Sequence, residues 1–205
     1  GGHNAGEIAS EIIVTSIIEE FKENEPYLKK TNQIKNFFEK SIKIAHIKVM
    51  EHSKSNISYQ GMGGTVCMLY LKKTDFFAGW VGDTRLYHFS KNKLNMLSDD
   101  HSLVWELYKK GEIKKSELKT HPFRNVITRA IGIGEYPKVD IKQGRYSKGD
   151  IFLLCSDGLH NEIDDKKIEA VLTTTRDTKE IAQKLVDEAN IHGGKDNVSV
   201  IVVKI

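Results

Sequence analysis

Three aspartates share one kind of setting in this sequence, each beside an apolar run and next to a residue suited to a tight backbone. Asp157 follows Ile151-Phe152-Leu153-Leu154-Cys155-Ser156 and precedes Gly158, Asp83 follows Gly79-Trp80-Val81-Gly82, and Asp196 stands in Gly193-Gly194-Lys195-Asp196-Asn197. Strand ends are rigid, so carboxylates placed there converge with little loss of geometry. Glycine beside them lets backbone, ion or phosphate approach closely. Taken singly, Asp-Gly and Asp-Asn are ordinary turn residues; three in the same arrangement point to a shared site. An all-carboxylate site selects hard cations, magnesium or manganese, with waters completing the octahedron. Zinc does not fit, because the chain has no Cys pair at metal spacing and no H-E-x-x-H helix. Cys67 and Cys155 lie inside apolar strands, where thiolate formation is disfavoured, and read as core residues rather than nucleophiles.

The elements that must carry these aspartates follow from periodicity. Ile8, Ile12, Ile13, Ile17, Ile18 and Phe21 recur at helical spacing after Asn4, an N-cap with Glu7 three residues on, and Pro26 ends that helix. A second helix begins near Thr31, with Ile34, Phe37, Phe38, Ile42, Ala45, Val49 and Met50 as its apolar stripe. From Gly61 the period changes to short strands joined by tight turns: 65–71, 76–81, 86–89 and 94–97. Such succession indicates antiparallel pairing rather than crossover units. A short helix follows Asp100-His101-Ser102 and stops at Gly111, with a helical turn at 116–118. Further strands are expected at 126–127, 139–141, 151–155 and 198–203, and helices at 165–172 and 178–190. Helices at both ends of a run of strands predict an α+β fold around a sheet core. With no repeat, low-complexity tract or linker, residues 1–205 are expected to form one domain.

Composition narrows the function. The 205 residues are 39% hydrophobic and 29% charged with only 2 Cys, which excludes a disordered chain and a disulfide scaffold. A net charge of +3, with basic residues scattered, gives no nucleic-acid footprint. No apolar run approaches the roughly 20 residues needed to cross a bilayer, and Gly1-Gly2-His3-Asn4 shows no leader pattern. A cytoplasmic protein that engages neither membrane nor nucleic acid is expected.

Seven stretches in order resemble the PPM (PP2C-type) metal-dependent serine/threonine protein phosphatases in their compact bacterial form. Gly1-Gly2-His3-Asn4-Ala5-Gly6-Glu7 is similar to the tail of DGMGGHxxGE, and Gly63-Gly64-Thr65-Val66 to MGTT. Val81-Gly82-Asp83-Thr84-Arg85-Leu86-Tyr87 is similar to VGDSRxY, and Asp100-His101-Ser102-Leu103-Val104 to DHSLV. His121-Pro122 through Asn125-Val126-Ile127-Thr128-Arg129-Ala130-Ile131-Gly132 resembles HPxRNVLTRALG. Leu154-Cys155-Ser156-Asp157-Gly158-Leu159 resembles LCSDGL, and Asp196-Asn197-Val198-Ser199-Val200 resembles DNxTV.

This resemblance implies two antiparallel β-sheets packed as a sandwich and flanked by helices on both faces. It implies that Asp157 and Asp196 hold a binuclear Mn2+ or Mg2+ centre, that Asp83 with Asp157 holds a third, weaker ion, and that His3 is a candidate proton donor. The implied reaction is hydrolysis of phosphoserine or phosphothreonine by a metal-activated water, with no phosphorylated enzyme intermediate. The implied partners are phosphorylated proteins, among them a serine/threonine kinase and its targets, met by a monomer. The loop from Leu103 to Pro122 is where substrate selectivity is expected.

Other residues take plainer readings. Arg129 makes a structural bond between segments, Asp100 and His101 cap the following helix and tie a loop, and His121 is a loop contact. His160 and His192 carry no catalytic role in the pattern, and the Lys29-Lys30 and Lys109-Lys110 pairs are solvated. Thr84 in place of the usual Ser and His160 after SDGL are mild departures. A larger one is that the family's Asn-x-Asp segment, the Asp-Gly preceding Met-Gly-Gly, and a phosphate-gripping arginine have no counterpart in the 205 residues. The resemblance therefore predicts an N-terminally incomplete domain with an unpaired sheet edge, weak metal binding and little activity, cut from an active parent. The rival expectation is a non-catalytic phosphoprotein-binding module that kept the fold and lost the metal site.

Overall fold

The computed structural model describes residues 5–205. Helix α1 (Gly6–Asn24) starts from Ala5 in the left-handed conformation, φ 55°. The expected Asn4 cap lies outside the described residues. Helix α1 buries Ala9, Ile13 and Ser16, with Ile8, Ile12 and Ile17 partly buried against the same core, while Ile18 is exposed. The buried face lets it lie close to α2 (Thr31–Ser55), to which Glu19 and Glu20 are bridged by Lys48 and Lys40. Pro26 sits in a single 3₁₀ turn, Glu25–Tyr27, that ends α1. Helix α2 opens with the Gln33 side chain accepting the backbone N–H groups of Lys29 and Lys30. It buries Ile34, Phe37, Phe38, Ile42, Ala45 and Val49, the stripe its spacing predicts.

Seven strands follow: β1 (Val66–Lys72), β2 (Asp75–Val81), β3 (Arg85–Ser90), β4 (Lys93–Met96), β5 (Asp140–Arg145), β6 (Ile151–Cys155) and β7 (Val200–Lys204). They form two antiparallel sheets, ordered β1-β2-β5 and β4-β3-β6-β7. In the second, β3 pairs β4 with Ser90 opposite Lys93, through Lys91 and Asn92 at φ 52° and 59°. Two successive left-handed residues make the turn whose twist matches the strands. Strand β6 is central, with Arg85 opposite Cys155 on one side and Cys155 opposite Val200 on the other. All five of its residues are buried, as befits a strand covered on both faces.

Four helices complete the chain: α3 (Leu103–Lys109), α4 (Asp157–His160), α5 (Asp165–Thr174) and α6 (Thr178–Ile191). Asp164 and Asp177 cap α5 and α6 through backbone N–H bonds at 2.8–3.0 Å. The expected strand at 126–127 is instead a loop. Val126 and Ile127 are 43% and 40% exposed, and the Val126 carbonyl accepts the Leu103 N–H that starts α3.

The chain divides into two compact units. One holds the residues up to Met68, with Gly79–Gly82 and Ile127–Ile141. Its core joins Ala9 and Ile13 of α1 to Ile42, Ala45 and Val49 of α2 and to Met62, Val81, Ile131 and Val139. The other holds Leu69–Ala78, Asp83–Val126 and Lys142–Ile205. Its core sets Ile168, Val171, Leu172, Ile181, Leu185 and Ala189 of α5 and α6 on Tyr87, Phe89, Ile151, Leu153 and Cys155. Each fully buried Ile or Leu contributes about 1.5–3 kcal/mol. No described helix is long and apolar enough to cross a membrane.

Candidate metal centre

All three sequence-predicted aspartates of the described residues belong to the second unit. Asp157 is the first residue of α4, reached directly from the buried end of β6. Ser156 anchors this junction: its Oγ donates to the Asn197 carbonyl (3.1 Å) and accepts the Ser199 N–H (3.0 Å), and its own N–H bonds the Ser199 carbonyl. These bonds tie the start of α4 to the segment that carries Asp196. A Cβ on Gly158 would stand 2.3 Å from the Asn197 carbonyl oxygen, so only glycine lets the two backbones come this close. The Asp-Gly dipeptide is thus a packing requirement rather than a turn preference.

Asp83 leaves β2 through Gly82, which combines φ +106° with a neighbour, Thr65 Cγ2, 2.2 Å from where a Cβ would be. Burial pushes the Asp83 carboxyl up from its ordinary 3.8 to about 6, and the negative charges of Asp157 and Asp100 add to it. Asp157 is likewise raised, by burial first and then by the charge of Asp196. Asp157 is therefore electrostatically coupled to both of the others, and the coupling is repulsive.

Opposite charges surround this acidic corner. Arg85 forks onto Asp100 through Nε (2.9 Å) and Nη2 (2.6 Å), and its Nη1 donates to Tyr87 Oη at 3.2 Å. Tyr87 in turn donates to Asp165 Oδ1 at 3.1 Å. The guanidinium lies 5.8 Å from the centre of the Trp105 ring. Asp100 is thus the partner of Arg85 and not a helix cap; Ser102 Oγ takes the capping bond, from the Trp105 N–H at 3.4 Å. The bidentate geometry outcompetes capping because it satisfies a buried charge on both sides.

His160, at the far end of α4 from Asp157, is 4% exposed. Its Nε2 donates to the Asp83 carbonyl oxygen at 3.1 Å, and its buried Nδ1 meets no partner among the described residues. Burial, and the nearby positive charges of Arg85 and Lys119, hold the ring neutral by lowering its pKa well below the usual value. Lys119 donates to the carbonyls of Asn161 and Ile163 just beyond α4, at 3.4 and 3.3 Å. Sequence reasoning missed these roles for His160, Arg85 and Lys119; the one available signal was Arg85 two residues after Asp83 in a β-strand pattern.

The plainer readings of Arg129, His121 and Cys67 agree with their surroundings. Arg129 binds Asp140 Oδ1 at 3.0 Å, a bond between segments of the first unit, and His121 Nδ1 accepts the Phe123 N–H of its own loop. Burial pushes the Cys67 thiol up to about 12, which suits a packing role. His3 lies outside the described residues.

The donor set suits a hard divalent cation in kind, since Asp83 and Asp157 are raised by burial and by neighbouring carboxylate charge, which a cation would relieve. It is not a complete cage: among the described residues no group of three or more His, Cys, Asp or Glu stands close enough to hold an ion alone.

Comparison with known proteins places the chain. Residues 1–189 match the family model described as protein phosphatase 2C. The serine/threonine phosphatase stp of Listeria welshimeri is 34% identical over 204 residues, 100% of this chain and 81% of that protein. Protein phosphatase PhpP of Streptococcus pneumoniae is 32% identical over 203 residues, 99% and 81% of the two chains. Among solved structures, serine/threonine phosphatase Stp1 from Staphylococcus aureus superposes with a TM-score of 0.94 at 30% identity, covering 100% of this chain and 80% of that one. The catalytic domain of PstP, crystallised with two manganese ions, superposes with a TM-score of 0.82 at 27% identity, covering 98% and 82%. The chain belongs to the protein phosphatase 2C family, with that family's two antiparallel sheets flanked by helices. It is a protein-serine/threonine phosphatase, a phosphoric monoester hydrolase that acts on phosphoproteins.

Proposed function

We propose that the chain removes phosphate from serine and threonine side chains with the help of Mn2+ or Mg2+. Asp157 and Asp196 would hold two ions and Asp83 with Asp157 a weaker third. The observation that carries this reading is the electrostatic crowding of Asp83 and Asp157, both raised by burial and by carboxylate charge, with Asp196 supplying part of that charge at Asp157. When bound, such ions neutralise the carboxylates and make a water acidic enough to act as nucleophile near neutral pH. The chain's own residues do the positioning. Ser156 and Gly158 hold Asp157 against the Asp196 segment, and Gly82 delivers Asp83 from the end of β2. The departing seryl or threonyl oxygen needs a proton, and His3 is our proposed donor. The relatives' phosphoprotein chemistry supports phosphorylated proteins as partners, a kinase and its targets among them, met by a monomeric enzyme. Neither Cys67 nor Cys155 forms a disulfide, which suits the reducing cytoplasm.

Hydrolysis of p-nitrophenyl phosphate and of a phosphothreonine peptide tests the reading. Turnover should depend on added Mn2+, vanish with EDTA, and fall about 100-fold or more in Asp157→Asn and Asp196→Asn. Metal-independent turnover that survives Asp157→Asn would overturn it.

A further inference from the structure

The ring of His160 is an expensive choice for its place. It is 4% exposed, and one of its two nitrogens meets no partner among the described residues. A buried polar atom left unsatisfied costs free energy that an apolar side chain of similar volume would avoid. What the ring supplies and a leucine cannot is a single bond, from Nε2–H to the Asp83 carbonyl oxygen at 3.1 Å. That bond requires the tautomer with the proton on Nε2 and a bare Nδ1, which is the nitrogen without a partner.

Both ends of this bond carry weight in the site. His160 closes α4, the single turn opened by Asp157, and the turn is fastened internally by Asn161 N–H to the Asp157 carbonyl (2.9 Å) and Ile163 N–H to the Leu159 carbonyl (3.0 Å). Gly158 and Leu159 between them are buried, so α4 cannot shift alone. On the other side, the accepting carbonyl belongs to Asp83 itself. Two residues further on, Arg85 is fixed by its fork onto Asp100. The short segment bearing Asp83 is therefore held at one point by Arg85 and at the other by His160.

We propose that His160 is a positioning residue of the acidic site, its Nε2–H bond to the Asp83 carbonyl fixing the separation between the Asp83 and Asp157 carboxylates. It acts through Asp83 and touches neither substrate nor reacting atoms. The inference rests on the reading of Asp83 and Asp157 as metal-holding carboxylates, and it assigns the residue after Leu159 a role in how firmly they take up cations.

Two variants of the whole protein separate this role from packing. His160→Leu removes the donor, and His160→Gln retains an amide N–H at nearly the same reach. The first readout, in EDTA, is backbone hydrogen exchange over Asp83, Thr84 and Arg85; the second is Mn2+ affinity by calorimetric titration. His160→Leu should speed exchange there and weaken Mn2+ binding, each about tenfold, with His160→Gln within about threefold of the parent in both. Equal losses in the two variants, or parent-like behaviour of His160→Leu, would overturn the proposal. If His160→Leu fails to fold, His160→Gln decides: parent-like values support the tether, and loss of either overturns it. A parent that takes up no Mn2+ brings down the metal reading instead, and the exchange comparison still judges the tether.

Discussion

Asp83 and Arg85 stand two residues apart in one strand entry and meet opposite electrostatic fates. Arg85 is matched: Asp100 takes both arms of its guanidinium, and Tyr87 links it onward to Asp165. Burial alone would lower its pKa, and the Asp100 carboxylate more than reverses the effect. Asp83 is mismatched, with burial, Asp157 and Asp100 all resisting its ionisation. The same burial that makes the Arg85 cluster a rigid brace makes the acidic corner a standing demand for positive charge. One region uses charge to hold shape; the other holds charge in readiness, and the first keeps the second in place.

Three perturbations would break or sharpen that contrast. The largest effect is expected from Arg85→Ala, which strands Asp100 at 8% exposure without its counter-charge and leaves Tyr87 Oη one bond short. Removing one partner of such a buried pair costs about 3–5 kcal/mol, measurable by urea unfolding. A cost under about 1 kcal/mol would mean that the pair is solvent-screened and braces nothing.

The second tests the acidic corner in the metal-free protein. Asp83 is raised from its ordinary 3.8 to about 6, so the unfolded chain releases this proton first as pH rises. The contribution of Asp83 to stability should be largest below about pH 4 and be lost, by on the order of 2 kcal/mol, as pH rises through about 6. Asp157 is displaced in the same direction and acts with the same sign. Urea melts in EDTA across this window should show the decline, and Asp83→Asn should flatten it. A difference in stability between the parent and Asp83→Asn that stays constant over this interval would show that the crowding is absent.

The smallest effect calibrates the other two. Arg129 and Asp140 are paired at 3.0 Å but each is about one-third exposed. Arg129→Ala should cost less than about 1 kcal/mol and leave phosphate hydrolysis unchanged. A large loss of turnover would instead make Arg129 a substrate contact and move part of the site into the first unit.

The sequence made the acidic corner legible because its markers are local. Asp83 and Asp157 each sit beside an apolar run and a glycine, and both Gly82 and Gly158 prove to be sites where no Cβ fits. Strands β1 to β4 and helices α2, α5 and α6 were legible from period alone. What escaped was whatever depends on partners distant in sequence. Asp100 reads as a cap beside Ser102 until Arg85 arrives from another strand, and His160 reads as idle until the Asp83 carbonyl is seen above it. Helix α4 is a single turn of Asp157-Gly158-Leu159-His160, too short to show a period. Val126 and Ile127 looked like a strand because two apolar residues in a row carry no sign of which way they face. In α1 the spacing marks Ile13, which is buried, and Ile8, Ile12 and Ile17, which pack on the same core, but it also marks exposed Ile18 and passes over Ala9 and Ser16, which share the buried face.

The pairing of β6 also bears on how the protein comes into being. Its neighbours are β3, from the middle of the chain, and β7, the last strand, so the loops that must close first are long. Such pairings form late in folding, after the entropy of closing those loops has been overcome. Until then the three aspartates are strangers on a solvated chain, each titrating in the ordinary way and none with special affinity for a cation. On the proposed reading, a divalent ion held by these aspartates would bind only the finished sheet and would deepen the stability of the native state by mass action. For a newly made chain, uptake of such an ion would mark the completion of folding.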